Sequence, residues 1–118
     1  MLRVYLYRGC STCRKAVRWL NANGVEFDEL PIRETPPTKR ELAAVLAAHG
    51  GEIRRLFNTS GQDYRALGLK DRLPVMSDAD AIALLSGNGN LIKRPFAIDV
   101  ECGIFLVGFR EAVWVSVL

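Results

Sequence analysis

Leu2-Arg3-Val4-Tyr5-Leu6-Tyr7-Arg8-Gly9-Cys10-Ser11-Thr12-Cys13-Arg14-Lys15-Ala16-Val17 is the stretch whose reading decides the fold. Leu2 to Tyr7 is short and almost wholly apolar, the pattern of a strand buried on both faces. Cys13, Ala16, Val17 and Leu20 then recur at i, i+3, i+4 and i+7, the apolar stripe of a helix. Asn23-Gly24 stops that helix, and Val25 and Phe27 alternate with acidic residues as a second strand does. The sum is a strand–helix–strand unit with parallel strands and a right-handed crossover.

Beyond it, Pro36-Pro37 breaks the chain, and Thr38 with Glu41 three residues on forms a capping box that opens a helix. Leu42, Val45, Leu46 and His49 share that helix's inner face before Gly50-Gly51 ends it. Ile53, Leu56 and Phe57 predict a helical turn, and Tyr64, Leu67 and Leu69 another short helical piece. Ser77 caps a further helix with Ala81, Leu84 and Leu85 inward and Gly87 near its end. Leu91 to Ile98 has strand character but contains Pro95, which cannot donate to a ladder and so demands an edge, a bulge or a special turn. A hairpin through Asp99–Gly103 joins it to a strand at Ile104–Val107, and Val113 and Val117 mark a last helix by their spacing. The order βαβ, helices, ββα describes an α/β chain with a small mixed sheet flanked by helices.

The 118 residues fit one domain. Half-apolar, quarter-charged composition excludes disorder, and no apolar run approaches the ~20 residues of a membrane span. No secretory signal is visible, so the expected location is cytoplasmic. Three cysteines are too few for a disulfide-stapled secreted scaffold. Arg3, Arg8, Arg14, Lys15 and Arg18 all precede the first acidic residue, Glu26. A positive field there favours a thiolate or an anionic substrate, while arginines on the helix's outer side are a solvated face.

Cys10 and Cys13 sit where the first strand gives way to the first helix. A helix N-terminus offers unpaired N–H groups and a positive dipole end. Such surroundings lower a cysteine pKa from ~8.5 to between ~3.5 and ~7.5. Cys10, in the loop, is the expected nucleophile, and Cys13, on the apolar stripe, the buried resolving thiol. Two readings compete: a pair of small buried hydrophobes, or zinc held by Cys10, Cys13, Cys102 and His49. A lone C-x-x-C lacks the second pair that a closed zinc site needs, so no metal is expected. Gly87-Asn88-Gly89-Asn90 lacks the Lys-Ser/Thr of a phosphate loop and reads as a turn. Trp19 and Trp114 read as packing residues, and no basic stripe with interleaved aromatics points to direct nucleic-acid binding. Cys102 in the hairpin reads as a surface thiol.

Three motifs in this order resemble those of the ArsC/Spx family, the arsenate-reductase-like branch of the thioredoxin fold. They are Cys10-Ser11-Thr12-Cys13-Arg14-Lys15-Ala16, Phe57-Asn58-Thr59-Ser60-Gly61 with Tyr64, and Leu91-Ile92-Lys93-Arg94-Pro95. The resemblance spans nearly the whole chain. It implies one thioredoxin-like domain over residues 1–118 with a helical insertion at about 37–88, and a cis Arg94–Pro95 bond facing the active cysteine. It further implies a catalytic set of Cys10, Cys13 and Arg94, with Ser11, Thr12, Arg14, Asn58 and Pro95 around the substrate.

Family arsenate reductases bind the oxyanion through three arginines. Arg94 matches one, and the other two positions look like Asn58 and Gly108. Losing two charge-assisted contacts of about 1.5–3 kcal/mol each argues against arsenate as the natural substrate. The function implied is a thiol-dependent oxidoreductase with no bound cofactor, drawing electrons from glutathione, glutaredoxin or thioredoxin. The alternative is a Spx-like redox-sensing regulator that binds the α subunit of RNA polymerase.

Overall fold

Strand β1 (Leu2–Leu6) supplies two cores at once, because successive side chains of a strand face opposite sides of its sheet. Leu2, Val4 and Leu6 pack with Cys13, Ala16, Val17 and Leu20 of α1 (Ser11–Ala22). Tyr5 joins the other core, with Leu42, Val45 and Leu46 of α2 (Lys39–Ala48). The computed structural model describes all of residues 1–118. In it β1 lies parallel to β2 (Phe27–Pro31) and antiparallel to β3 (Phe96–Asp99), which pairs antiparallel with β4 (Ile104–Val107). The sheet order is β2-β1-β3-β4. Val4 stands between Glu29 and Ala97, and Tyr5 between Leu30 and Phe96.

Between β2 and β3 run α2, a 3₁₀ turn at Ile53–Leu56, α3 (Gln62–Ala66), α4 (Leu69–Arg72), a second 3₁₀ turn, α5 (Asp78–Gly87) and a third 3₁₀ turn. These elements fill the Tyr5 side of the sheet, while α1 and α6 (Glu111–Val117) cover the other. The architecture is the thioredoxin-like α/β fold expected from the sequence. No helix is long and apolar enough to cross a membrane.

One expectation is corrected. Leu91–Ile98 is not one strand, since β3 begins at Phe96 and Pro95 stands just outside the ladder. Its missing N–H therefore leaves no rung broken. Residues 91–93 pair instead with the 3₁₀ turn: Asn58 N–H donates to the Leu91 carbonyl at 2.7 Å and Lys93 N–H to the Leu56 carbonyl at 2.8 Å. The Arg94–Pro95 bond is cis, as the resemblance implied. The last helix turns Val113 and Val117 outward and buries Trp114. A single large indole outweighs two valines: it stacks edge-on against Phe109 and Trp19, and its Nε1 donates to the Gly108 carbonyl at 3.1 Å.

The capping box at Thr38 does more than start α2. Glu41 accepts from the Thr38 N–H at 2.9 Å, from the buried Tyr5 hydroxyl at 2.8 Å and from Arg3 at 2.9 Å. It thereby ties the helix start to the middle of β1. Gly89 is fixed by a closer approach still: a Cβ there would stand 1.8 Å from the Ile32 carbonyl oxygen. Replacing Glu41 with Ala strands the Tyr5 hydroxyl in the core and removes a charged acceptor, so Glu41→Ala should cost about 3 kcal/mol of stability. Urea unfolding checks this, and Tyr5→Phe in the same background should recover part of the loss.

Candidate active site

Cys10 is the N-cap residue of α1, in extended conformation (φ −91°, ψ 122°). No side chain caps this helix, so its first N–H groups remain available to the sulfur. Partial burial opposes charge on Cys10. The N–H groups of Cys13 and Thr12, the Cys13 thiol and the Arg94 guanidinium outweigh it, and they hold the Cys10 thiol below its ordinary range. Cys13 behaves oppositely. It is fully buried beneath α1, and burial, reinforced by hydrogen bonding to and repulsion from the Cys10 sulfur, pushes its thiol up to about 12. Cys102 is exposed in the β3–β4 turn, where hydrogen bonding to Asp99 raises its thiol. Among three cysteines, one is poised to ionise.

Arg94 arrives at Cys10 from the opposite side of the site. Its guanidinium carbon lies 5.4 Å from the centre of the Tyr7 ring, and Arg33 takes the same ring at 4.6 Å. The Arg94 Nη1 is buried and has no hydrogen-bond acceptor. A planar guanidinium held this way, with a nitrogen unsatisfied, is suited to an anionic ligand or transition state at the sulfur.

A hollow of about 550 Å³ opens over Cys10. Of the residues expected around the substrate, Thr12 and Asn58 line it together with Cys10 and Arg94, whereas Ser11, Arg14 and Pro95 do not. Arg14 turns back to the Arg8 carbonyl at 2.8 Å, Arg8 pairs with Glu29 and Arg3 with Glu41. Three of the four N-terminal arginines, Arg3, Arg8 and Arg14, are thus turned to structural partners. The positive charge on the walls comes from elsewhere in the chain: Arg55, Lys93 and Arg110 join Arg94 there, and no carboxylate does. His49, at the end of α2, also reaches the hollow, with its Nε2 3.1 Å from the Phe105 carbonyl.

Asn58 and Gly108 both face this space, where arsenate-binding arginines were looked for. Gly108 has φ +73°, and a Cβ there would meet the Lys93 stem at 3.0 Å. Backbone conformation, with the lysine stem beside it, disfavours an arginine at that position. No three His, Cys, Asp or Glu side chains converge as a metal site would require.

A family model described as the ArsC family matches residues 5–117. The chain is 46% identical over 110 residues to the uncharacterized protein YusI of Bacillus subtilis, covering 93% of this chain and 92% of that one. A solved structure titled a possible arsenate reductase from Streptococcus mutans superposes with a TM-score of 0.87 at 41% identity, covering 94% of this chain and 92% of its own. The global transcriptional regulator Spx of Enterococcus faecalis is 31% identical over 112 residues, 94% of this chain and 81% of the regulator.

The thiol environments have a measurable consequence. A lowered Cys10 pKa means a larger thiolate fraction at neutral pH, so iodoacetamide should alkylate Cys10 faster than Cys102 at pH 7. The Cys10 rate should level off at lower pH. Arg94→Leu should shift the Cys10 midpoint upward, and Arg94→Lys should shift it less. Mass-spectrometric peptide mapping across pH reads all three.

Proposed function

This chain belongs to the ArsC family, and on that premise we propose that it is a thiol-dependent oxidoreductase working in the cytoplasm. The carrying observation is the divergence of two cysteines on adjacent turns, with Cys10 pulled down by helix N–H groups and Arg94 and Cys13 pushed up by burial. The Cys10 thiolate attacks a disulfide sulfur of the substrate, forming a mixed disulfide and expelling the other sulfur as a thiolate. Arg94 balances the charge that moves along the three sulfurs. Once Cys10 is bonded, its negative charge is gone and the repulsion that raised Cys13 goes with it. Cys13 then displaces the second substrate thiol and closes a Cys10–Cys13 disulfide. Glutathione, glutaredoxin or thioredoxin returns two electrons to that disulfide, and no bound cofactor takes part.

Reduction of bis(2-hydroxyethyl) disulfide by the purified protein, with each donor system in turn, tests the reading. Cys10→Ser should abolish turnover, and Cys13→Ser should leave Cys10 trapped as a stable mixed disulfide. With Asn58 and Gly108 in place of arginines, arsenate reduction should be at least a hundredfold less efficient in kcat/KM than disulfide reduction. Robust arsenate turnover at micromolar substrate contradicts this substrate assignment.

A second reading has one observation of its own, the similarity to regulators named Spx. It makes the same cysteine pair a redox switch on a surface for the RNA polymerase α subunit. Pull-down of the isolated α C-terminal domain by the reduced and oxidised protein separates the two: redox-dependent capture without disulfide turnover favours the regulator.

A further inference from the structure

The hollow over Cys10 does not end at its own rim. It shares Arg55 and Lys93 with a second hollow of about 510 Å³, whose other lining residues include Arg54 and Thr59. Arg54 in turn is shared with a third hollow of about 310 Å³, lined by Ile53, Tyr64, Leu73 and Pro74, with Lys70 beside them. The three hollows are linked in series by these shared side chains, and together they mark the course of a candidate groove. Its character changes along its length: a reactive thiol at one end, cations in the middle, and an apolar cleft at the far end. Glu52 is the single carboxylate along it, set against Arg54, Arg55, Lys70, Lys93, Arg94 and Arg110.

The local structure explains why the basic side chains collect there. In the 3₁₀ turn Ile53–Leu56, Leu56 is buried in the core and Ile53 packs against it. Arg54 and Arg55 are therefore left outside. The Phe57–Ile92 bridge then sets this turn against Lys93 and Arg94. A small thiol or an oxyanion needs only the first hollow. An extended groove with an apolar end fits a polypeptide, and one lined this way fits an acidic one. Nucleic acid fits less well, because no exposed aromatic ring lines the middle or far parts for bases to stack on.

We propose that this groove docks an extended acidic segment of a partner protein, resting on the oxidoreductase reading above. The partner's oxidised cysteine meets Cys10, its carboxylates lie over Arg55, Lys93 and Arg54, and an apolar side chain enters the cleft beside Tyr64 and Leu73. The Cys10 thiolate bonds to the partner's sulfur and expels the sulfur attached to it as a thiolate. Cys13 then releases the partner's thiol as the Cys10–Cys13 disulfide forms. The partner's disulfide gains two electrons, the protein loses two, and the released thiolates take protons from solvent.

The test uses the full reduced chain and short peptides whose single cysteine is capped as a mixed disulfide with 2-mercaptoethanol. One series carries Glu-Glu and then Leu beside the capped cysteine, a second Lys-Lys and Leu, a third Glu-Glu and Ser, each in both chain directions. Bis(2-hydroxyethyl) disulfide is the neutral control. The Glu-Glu-Leu peptide should react at least tenfold faster than the Lys-Lys-Leu peptide at low ionic strength, and the ratio should shrink as salt is added. Replacing its Leu with Ser should slow it several-fold. Arg54→Glu should collapse the preference for the acidic peptide over the neutral disulfide. Reduction of the control with no preference among peptides overturns the docking groove alone. Failure to reduce any of these substrates overturns the oxidoreductase reading and the groove with it.

Discussion

The candidate site depends on a cysteine placed at the start of an uncapped helix, four residues after a buried strand. A carbon-bound thiolate in half-buried surroundings is costly unless donors meet it. Here the N–H groups of Cys13 and Thr12, the Cys13 thiol and the Arg94 guanidinium do so. The helix can offer those groups because Cys10, rather than Ser, Thr, Asp or Asn, occupies its N-cap. A conventional cap would satisfy the N–H groups with an oxygen and leave the sulfur without support. The motif thus trades part of the stability of a helix end for a thiol held below its ordinary range.

Holding that geometry falls to β1. Its two faces feed two separate cores, so a shift of one residue would reverse the environments of Val4 and Tyr5 together. The Tyr5–Glu41 hydrogen bond adds a polar lock that accepts only one register. Arg94 is placed by a different device. The segment before Pro95 leaves the sheet and pairs with the loop at Phe57, which carries the cations of the insertion to the thiol. One side of the site is built from local sequence and the other from pairing between Phe57 and Ile92, segments far apart in the chain.

This division explains what was legible in the sequence. The strand–helix junction at Cys10, the caps at Thr38 and Ser77 and the strand at Ile104–Val107 are local patterns, and each is found where the residues alone put it. The proline at 95 was legible as an anomaly, and its answer lies in a strand that starts one residue later. The terminal helix was legible from its two-valine spacing and Trp114 as a packing residue, and the indole forms the helix's buried face. The source of positive charge was illegible. Five basic residues crowd the N-terminal motif in the sequence, yet Arg3 and Arg8 turn to Glu41 and Glu29. Arg55 and Lys93 look like ordinary surface residues until the Phe57–Ile92 bridge brings them together. Two adjacent arginines at 54 and 55, between an inward Ile53 and Leu56, were the signal available for that wall.

The same two environments set the direction of the chemistry. The Cys10 thiol is held below its ordinary range while the Cys13 thiol is pushed up to about 12, so in the proposed reaction the first attack falls to Cys10. Burial is the larger influence on Cys13, and it persists after the mixed disulfide forms. What changes is the neighbouring charge: a thiolate that accepts the Cys13 hydrogen bond and repels its ionised form becomes a neutral sulfur bonded to substrate. In the proposed oxidoreductase reaction, resolution by Cys13 is thereby coupled to prior reaction at Cys10, and a pair of cysteines three residues apart acquires an order of action. The apolar residues Leu6, Ala16 and Val17 around Cys13, which belong to the core first, are what make that order hold.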